Sequence, residues 1–102
     1  MIFMTVDMDR INEELTKVVD PELGMSIMEV NLVDTIDVKE DVGEVSLEFH
    51  LTSPMCPPPF ALKIASDIKN GLLSVDGVKS VKLNLKQHYM AEYINTTIND
   101  GK

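Results

Sequence analysis

Apolar residues near the start of the chain recur at the spacing of an amphipathic helix. Five of them fall on one side of a helix drawn over residues 7–19: Met8, Ile11, Leu15, Val18 and Val19. Such a stripe is typical of a helix that buries one face. Asp7 is the predicted N-cap, because its carboxylate can accept the unpaired amide hydrogens of a first turn. Pro21 disfavours helical angles at Asp20, and so we expect the helix to end there.

Two segments in the middle of the chain alternate between apolar and polar residues. The segment Leu32–Lys39 predicts one strand, although Asp34 falls in its apolar phase. The segment Glu44–Leu51 predicts a second, more regular strand whose inward residues are Val45, Leu47, Phe49 and Leu51. Residues 40–43 end in a glycine, which readily takes a positive φ, and so we expect them to join the two strands as a hairpin.

A second helical stripe and a third alternating segment complete the pattern. The stripe predicts a helix over about Pro58–Ser74 with six inward residues: Ala61, Ile64, Ala65, Ile68, Leu72 and Val75. Proline is tolerated in a first helical turn. A third strand is predicted by the alternation of Val81, Leu83 and Leu85 with polar residues. Over residues 88–99 a near-helical spacing includes two β-branched threonines, which predicts a weak helix or an ordered arm.

The order of these elements is α-β-β-α-β followed by a tail, which predicts an α/β fold of the α+β type. We expect a two-layer sandwich with both helices on one face of a small mixed sheet. A chain of 102 residues suits one domain and leaves no room for a second core. We therefore assign residues 1–102 to a single domain, with a core over about residues 7–86 and a tail over residues 87–102.

The composition narrows the class of protein. Seventeen Asp and Glu against nine Lys and Arg give a net charge of −8, which disfavours nucleic acid and anionic membranes as partners. No apolar run approaches the roughly 20 residues that cross a bilayer, and Met1–Thr5 is too short for a signal-peptide core. The single cysteine excludes an internal disulfide. The composition thus predicts a cytoplasmic protein that binds neither nucleic acid nor membranes.

The first candidate for chemistry is the loop Thr52–Pro59, which contains Cys56. It lies between the regular strand and the second helix, where the positive helix end and its unpaired amides favour a thiolate over a thiol. A thiolate attacks electrophiles or binds a soft metal. The alternative is that Cys56 is a small buried apolar residue, as many lone cysteines are. A thiol enzyme would also need a base, for which the outward-facing His50 is the candidate.

The second candidate is the segment Asp20-Pro21-Glu22. Two carboxylates around a proline offer hard metal ligands or a charged contact surface. The alternative is a turn that ends the first helix. The chain has no glycine-rich phosphate loop, no paired-cysteine metal motif and no basic stripe.

Three segments together resemble one family. Residues 18–33, VVDPELGMSIMEVNLV, resemble an N-terminal signature in which a D-P-E turn leads into the first strand. Residues 51–57, LTSPMCP, match a T-S-P-x-C-P loop, and residues 77–83, GVKSVKL, resemble a closing G-V-x-x-V strand. These are the signatures of the SufT-like and PaaD-like iron–sulfur cluster assembly domain family, of the MIP18 or FSCA-like type. The similarity spans about residues 8–86. It departs at Met55 and Asn31, where the family commonly has glycine, and at residues 88–90, where a Trp-Pro-type segment is common.

The resemblance implies a non-catalytic role in maturing iron–sulfur clusters or delivering them to apo-proteins. It implies that Cys56 is a ligand to a transiently bound cluster or metal, and that the partners are the assembly machinery and apo-protein clients. Asp20, Glu22, Thr52 and Ser53 are then residues that contact partners or shape the loop. We expect both helices to bring Asp20 or Glu22 close to the Cys56 loop, where a carboxylate would bond amides or hydroxyls such as those of Thr52 and Ser53.

Three functions remain open from the sequence. The first is a cluster carrier or maturation factor. A cluster is normally held by four thiolates and one chain offers one, so a homodimer would supply two. The second is a metal-free adaptor that binds clients or assembly partners through the Cys56 loop, the Asp20–Glu22 turn and the acidic face. The third is a thiol enzyme with Cys56 and His50, for which the sequence supplies neither a third group nor a substrate pocket.

Overall fold

A computed structural model describes residues 7–52, 55 and 57–100. The three helices and five strands have these bounds: α1 Met8–Thr16, β1 Val19–Asp20, β2 Met25–Ser26, β3 Val33–Lys39, β4 Glu44–His50, α2 Pro58–Leu73, β5 Ser80–Lys86 and α3 Ala91–Asp100. In the described part of the chain, no helix has the length and apolar character needed to span a membrane.

The first helix begins where the sequence predicts and ends earlier. The carboxylate of Asp7 accepts a hydrogen bond from the amide of Asp9 at 2.9 Å, which confirms the N-cap. The helix ends at Thr16, and so the expectation that Pro21 terminates it was wrong. After the C-cap residue Lys17 comes the β-branched pair Val18 and Val19, whose side chains suit an extended backbone. They lead into β1, which pairs with β2 in a short antiparallel hairpin.

The main sheet is mixed, as predicted. Its strand order is β3-β4-β5, with β3 antiparallel and β5 parallel to β4. A β-bulge explains why Asp34 falls in the apolar phase of β3. Val33 pairs with Phe49 and Thr35 with Glu48, so Asp34 is an extra residue on its strand. Because of the bulge, Asp34 does not lie on the inward face of β3. Ile36 and the residues after it remain in regular pairing with β4.

The hairpin that joins β3 to β4 depends on a glycine. Gly43 has a φ of +69°, which is the left-handed region that the sequence predicts for this turn. A Cβ at this position would lie 2.5 Å from the carbonyl oxygen of Gly77. The close approach allows the amide of Lys79 to donate to the carbonyl of Gly43 at 2.7 Å. The turn between β3 and β4 is thereby hydrogen-bonded to the residue that precedes β5.

The core lies between the sheet and the first two helices. The alternation of β4 is confirmed, with Val45, Leu47 and Phe49 all buried. The predicted stripe of α2 is confirmed as well, and its five buried helical residues are Ala61, Ile64, Ala65, Ile68 and Leu72. Residues of α1, α2, β4 and β5 belong to one hydrophobic cluster, which gives the expected two-layer arrangement.

The packed structure continues beyond Lys86. Residues 91–100 form α3, and its Ile94 is fully buried in the core cluster. The helix lies along β5, and its asparagine side chains contact the backbone of that strand. Of the two alternatives predicted for residues 88–99, a weak helix or an ordered arm, the structure thus shows the helix.

Candidate functional site

Backbone hydrogen bonds join the β1–β2 hairpin to the end of β4. The amide of His50 donates to the carbonyl of Leu32, the amide of Leu32 to that of Ile27, and the amide of Ile27 to that of Val18. Each of these bonds is 2.9 Å long. The hairpin and the loop that follows β4 thus start from the same end of the sheet. The hairpin contains Asp20-Pro21-Glu22, and Leu51 and Thr52 begin the loop after β4.

Asp20 holds the turn of this hairpin. Its side chain is 3% exposed, and its Oδ1 accepts a hydrogen bond from the amide of Glu22 at 2.8 Å. Its carbonyl accepts from the amides of Leu23 at 3.2 Å and Gly24 at 2.7 Å. Gly24 has a φ of +69°, which closes the turn. Among the described residues, the hydrogen-bond partner of the Asp20 carboxylate therefore lies in its own turn.

The loop after β4 runs from a buried residue to an exposed surface. Leu51 is buried, Thr52 is exposed, and Met55 is 66% exposed. Ser53 and Cys56 lie outside the described residues. The predictions that Cys56 is a ligand, and that Asp20 or Glu22 lies near it, therefore remain predictions.

The first turn of α2 offers no free backbone donor, contrary to the expectation of unpaired amides beside Cys56. Pro57 is the N-cap residue, and Pro58 and Pro59 have no N–H group. The amides of Phe60 and Ala61 both donate to the carbonyl of Pro57, at 3.0 and 3.2 Å. The positive character of a helix end comes from its unsatisfied N–H groups, so this end supplies little of it. Residues 58–61 therefore offer no free N–H group to a neighbouring side chain.

His50 points away from the core, as predicted, and pairs with Asp34. Its Nδ1 lies 3.0 Å from both carboxylate oxygens, and each side chain is about one-third exposed. A neutral ring that donates from Nδ1 to the carboxylate keeps Nε2 as an acceptor. Within residues 7–52, 55 and 57–100, no third His, Cys, Asp or Glu joins such a pair into a metal-sized group. The bulge that displaces Asp34 is what brings it to His50.

Sequence reasoning missed His88, which is 9% exposed. Its Nδ1 accepts a hydrogen bond from the amide of Met90 at 3.0 Å, so the proton of the neutral ring is on Nε2. His50 pairs with Lys86 across the two parallel strands, and His88 follows shortly after. His88 therefore lies at the carboxyl ends of β4 and β5, where open parallel sheets commonly bind ligands. The only signal in the sequence was a histidine two residues after an alternating segment.

Comparison with known proteins identifies relatives along most of the chain. It is 31% identical over 86 residues to an uncharacterized protein of Methanocaldococcus jannaschii, covering 84% of this chain and 87% of that protein. It is 38% identical over 71 residues to the Fe-S protein maturation auxiliary factor of Porphyromonas gingivalis, covering 70% of this chain and 65% of that protein. It is 29% identical over 75 residues to the iron-sulfur cluster carrier protein of Deinococcus radiodurans, covering 74% of this chain but only 20% of that carrier.

A solved structure shares the fold of this chain, and a family model matches most of its length. The fold matches the crystal structure of a domain of unknown function, DUF59, from Bacillus anthracis with a TM-score of 0.67. That match covers 88% of this chain and 85% of the other at 24% sequence identity. The model of the family described as iron-sulfur cluster assembly protein matches residues 8–83. This range includes the hairpin, the whole Cys56 loop and the start of β5. The chain belongs to the iron–sulfur cluster assembly protein family.

Proposed function

We propose that this chain is an iron–sulfur cluster carrier or maturation factor, that it delivers clusters to apo-proteins, and that the Cys56 thiolate is its ligand. The observation that carries the proposal is the family match over residues 8–83, which spans both signature segments. The relatives named as a maturation factor and a cluster carrier support it. The chain spans 65% and 20% of those two proteins, so the match with the carrier concerns one part of a longer chain.

The number of thiols limits how a cluster could be held. A cluster normally has four thiolate ligands, and this chain supplies one. Two copies would supply two, and a small thiol or the client would complete the set. Such incomplete ligation suits a carrier, because a client that offers more thiolates can remove the cluster. The cluster is then cargo and not a resident cofactor.

The start of α2 supports a ligand role for Cys56 over a nucleophilic role. A nucleophilic thiol must be deprotonated before it reacts, usually with help from nearby donors or a base. The prolines at positions 58 and 59 remove two donors, and the next two amides bond Pro57. A metal ion needs no such help, since coordination itself displaces the thiol proton. We therefore favour a carrier over a thiol enzyme.

A metal-free adaptor is the second candidate, because both segments expose apolar side chains. In the hairpin Leu23 and Met25 are exposed, and Met55 and Phe60 flank the position of Cys56 in the sequence. Exposed apolar groups of this kind commonly contact partners. An adaptor would bind a client or an assembly protein through these groups without holding the cluster itself.

Anaerobic reconstitution separates the two candidates. The protein is incubated with iron and sulfide and desalted, and then its visible absorption and its iron and sulfide content per chain are measured. A carrier shows cluster absorption that Cys56→Ser abolishes. The matched control is the double variant Cys56→Ser/Ser80→Cys, which moves the single thiol to an exposed position at the start of β5. Equal absorption in the wild type and this control would contradict a built ligand site, and no absorption in the wild type would favour the adaptor.

A further inference from the structure

The two outer edges of the main sheet differ. The edge of β5 is covered, because Asn95 and Asn99 of α3 bond the backbone of Leu85 and Leu83. The edge of β3 has β4 as its one strand neighbour in the described sheet. An open edge presents unpaired N–H and C=O groups to any extended chain that can reach them.

Two backbone hydrogen bonds of β4 and the turn before it determine which backbone groups of β3 point to the open edge. The amide of His50 donates to the carbonyl of Leu32, which lies on the β3 side of β4. The carbonyl of Gly43 accepts from the amide of Lys79, which lies on the β5 side. Backbone N–H and C=O groups alternate in direction along a strand. The backbone groups of the even-numbered residues of β4 therefore point toward β3. Their register partners Thr35 and Asp37 are therefore bonded to β4. Ile36 and Val38 alternate with these bonded residues, so their N–H and C=O groups point to the open edge.

A groove adjoins the first half of this edge. It has a volume of about 270 Å³ and is lined by residues of β3 and of the turn before it: Met28, Asn31, Val33, Asp34, Thr35 and Ile36. Half of these residues are apolar, and they are only partly buried against the core. The groove can therefore receive an apolar side chain of a chain that pairs with β3.

The charge along the edge selects the partner. Over residues 34–41 the exposed acids are Asp34, Asp37, Glu40 and Asp41. The single cation in this stretch, Lys39, is held by Glu44 at 3.7 Å. The acidic edge favours a basic partner. A second copy of a chain with a net charge of −8 would bring like charges together.

The geometry points to the outer edge of β3 as a docking site for an extended, basic segment of another protein, which adds to the sheet as a fourth strand. Its main-chain groups bond those of Ile36 and Val38, while its Lys or Arg side chains meet the acids and an apolar side chain enters the groove. Only the identification of that protein as a client of cluster delivery rests on the proposed function.

The test uses the full chain without any cluster, so its failure is distinct from failure of the carrier proposal. The probe is an end-blocked peptide of alternating Lys and Val, titrated into isotope-labelled protein while NMR shifts and amide hydrogen exchange are followed. We expect saturable shifts centred on residues 34–39, slower exchange of the Ile36 and Val38 amides, and weaker binding at high salt. A peptide with Glu in place of Lys should not bind.

Two matched controls isolate the backbone pairing. Val38→Pro removes an outward N–H, which an edge strand tolerates, and Val38→Ala removes a similar part of the side chain but keeps the N–H. We expect the proline variant to bind about tenfold more weakly than the alanine variant, since it loses a hydrogen bond and adds a ring at the edge. On the peptide side, N-methyl groups on two consecutive central residues should abolish binding to the unmodified protein.

Three results would overturn the inference. The first is equal binding of the unmodified and N-methylated peptides, which would indicate non-specific attraction to the acidic surface. The second is the absence of shifts at millimolar peptide. The third is concentration-dependent protection of the Ile36 and Val38 amides without peptide, with a dimer in sedimentation, which would assign the edge to a second copy.

Discussion

The side chain of Asn95 makes the two hydrogen bonds to the backbone of Leu85 that a neighbouring strand would make. Its Oδ1 accepts from the amide of Leu85 at 2.7 Å, and its Nδ2 donates to the carbonyl of the same residue at 3.1 Å. One turn further along α3, Asn99 makes the same pair of bonds to Leu83, at 3.0 and 2.8 Å. Four residues of a helix rise about 6 Å and two residues of a strand about 6.7 Å, so the two repeats match. Two side chains thereby close one edge of the sheet.

Replacing Asn99 by alanine should lower the free energy of unfolding by about 1–2 kcal/mol. The change leaves the amide and carbonyl of Leu83 without their partners at a partly buried site. Urea unfolding followed by circular dichroism measures the loss. Thr97→Ala is the control, because Thr97 is an exposed residue of the same helix and should change stability by less than about 0.5 kcal/mol. Equal stability of the two variants would show that water replaces the asparagine at no cost.

Asp20→Ala should destabilise the protein more than Asp20→Asn. The carboxylate is buried and accepts the amide of Glu22. Asparagine keeps an acceptor at the position of Oδ1, whereas alanine leaves a part-buried amide unbonded at a cost of about 1–2 kcal/mol. Urea unfolding of the three proteins gives the comparison.

The same pair of variants separates the structure of the turn from its charge. If the charge of Asp20 also shapes the Cys56 loop or contacts a partner, Asp20→Asn should impair cluster handling in protein that is fully folded. Unchanged cluster content and transfer in Asp20→Asn would restrict Asp20 to its role in the turn.

Cys56→Ser should leave the protein folded and remove its ability to hold a cluster. The substitution is expected to cost less than about 1 kcal/mol, as at most positions outside a core, because it changes one atom in a loop between two exposed residues, Met55 and Pro57. Thermal unfolding and iron content are measured on the same preparation. A variant that unfolds readily but retains iron per folded molecule would instead make Cys56 a core residue.

His50→Gln should leave cluster binding and transfer unchanged. His50 is paired with Asp34 on the outer face of the sheet, and a partly exposed pair of this kind contributes about 0–1 kcal/mol to stability. Iron content and transfer rate of the variant are compared with those of the wild type. A large loss of transfer with normal iron content would revive the thiol-enzyme hypothesis, in which His50 acts as the base for Cys56.

The elements with long, regular patterns were predictable from the sequence. Strand β4 alternates without exception and α2 has an unbroken stripe, so their burial agreed with expectation. The β1–β2 hairpin was missed because strands of two residues are too short to establish a period. The phase error at Asp34 was visible in the sequence, but the bulge that causes it depends on pairing with β4.

Contacts between distant residues explain what was missed at the candidate site. Nothing local indicates that Asn95 and Asn99 bond a strand about ten to sixteen residues earlier. The lack of free N–H donors at the start of α2 was partly predictable from the sequence, because Pro58 and Pro59 have no N–H group. The bonds of the next two amides to Pro57 required the structure. The hydrophobic pattern did not indicate a function, whereas the family resemblance did. Its three segments are distributed over the range that the family model matches, residues 8–83.

Transfer of a cluster from this chain to an apo-ferredoxin is the decisive measurement for the carrier proposal. The reconstituted protein is mixed anaerobically with the apo-ferredoxin and an iron chelator, and the circular dichroism of the holo-ferredoxin is followed over time. If the chain is a carrier, holo-ferredoxin forms faster than from free iron and sulfide, the chelator does not suppress its formation, and Cys56→Ser abolishes the difference. Holo-ferredoxin that forms no faster than from free iron and sulfide, or equally fast with Cys56→Ser, would rule out the carrier proposal.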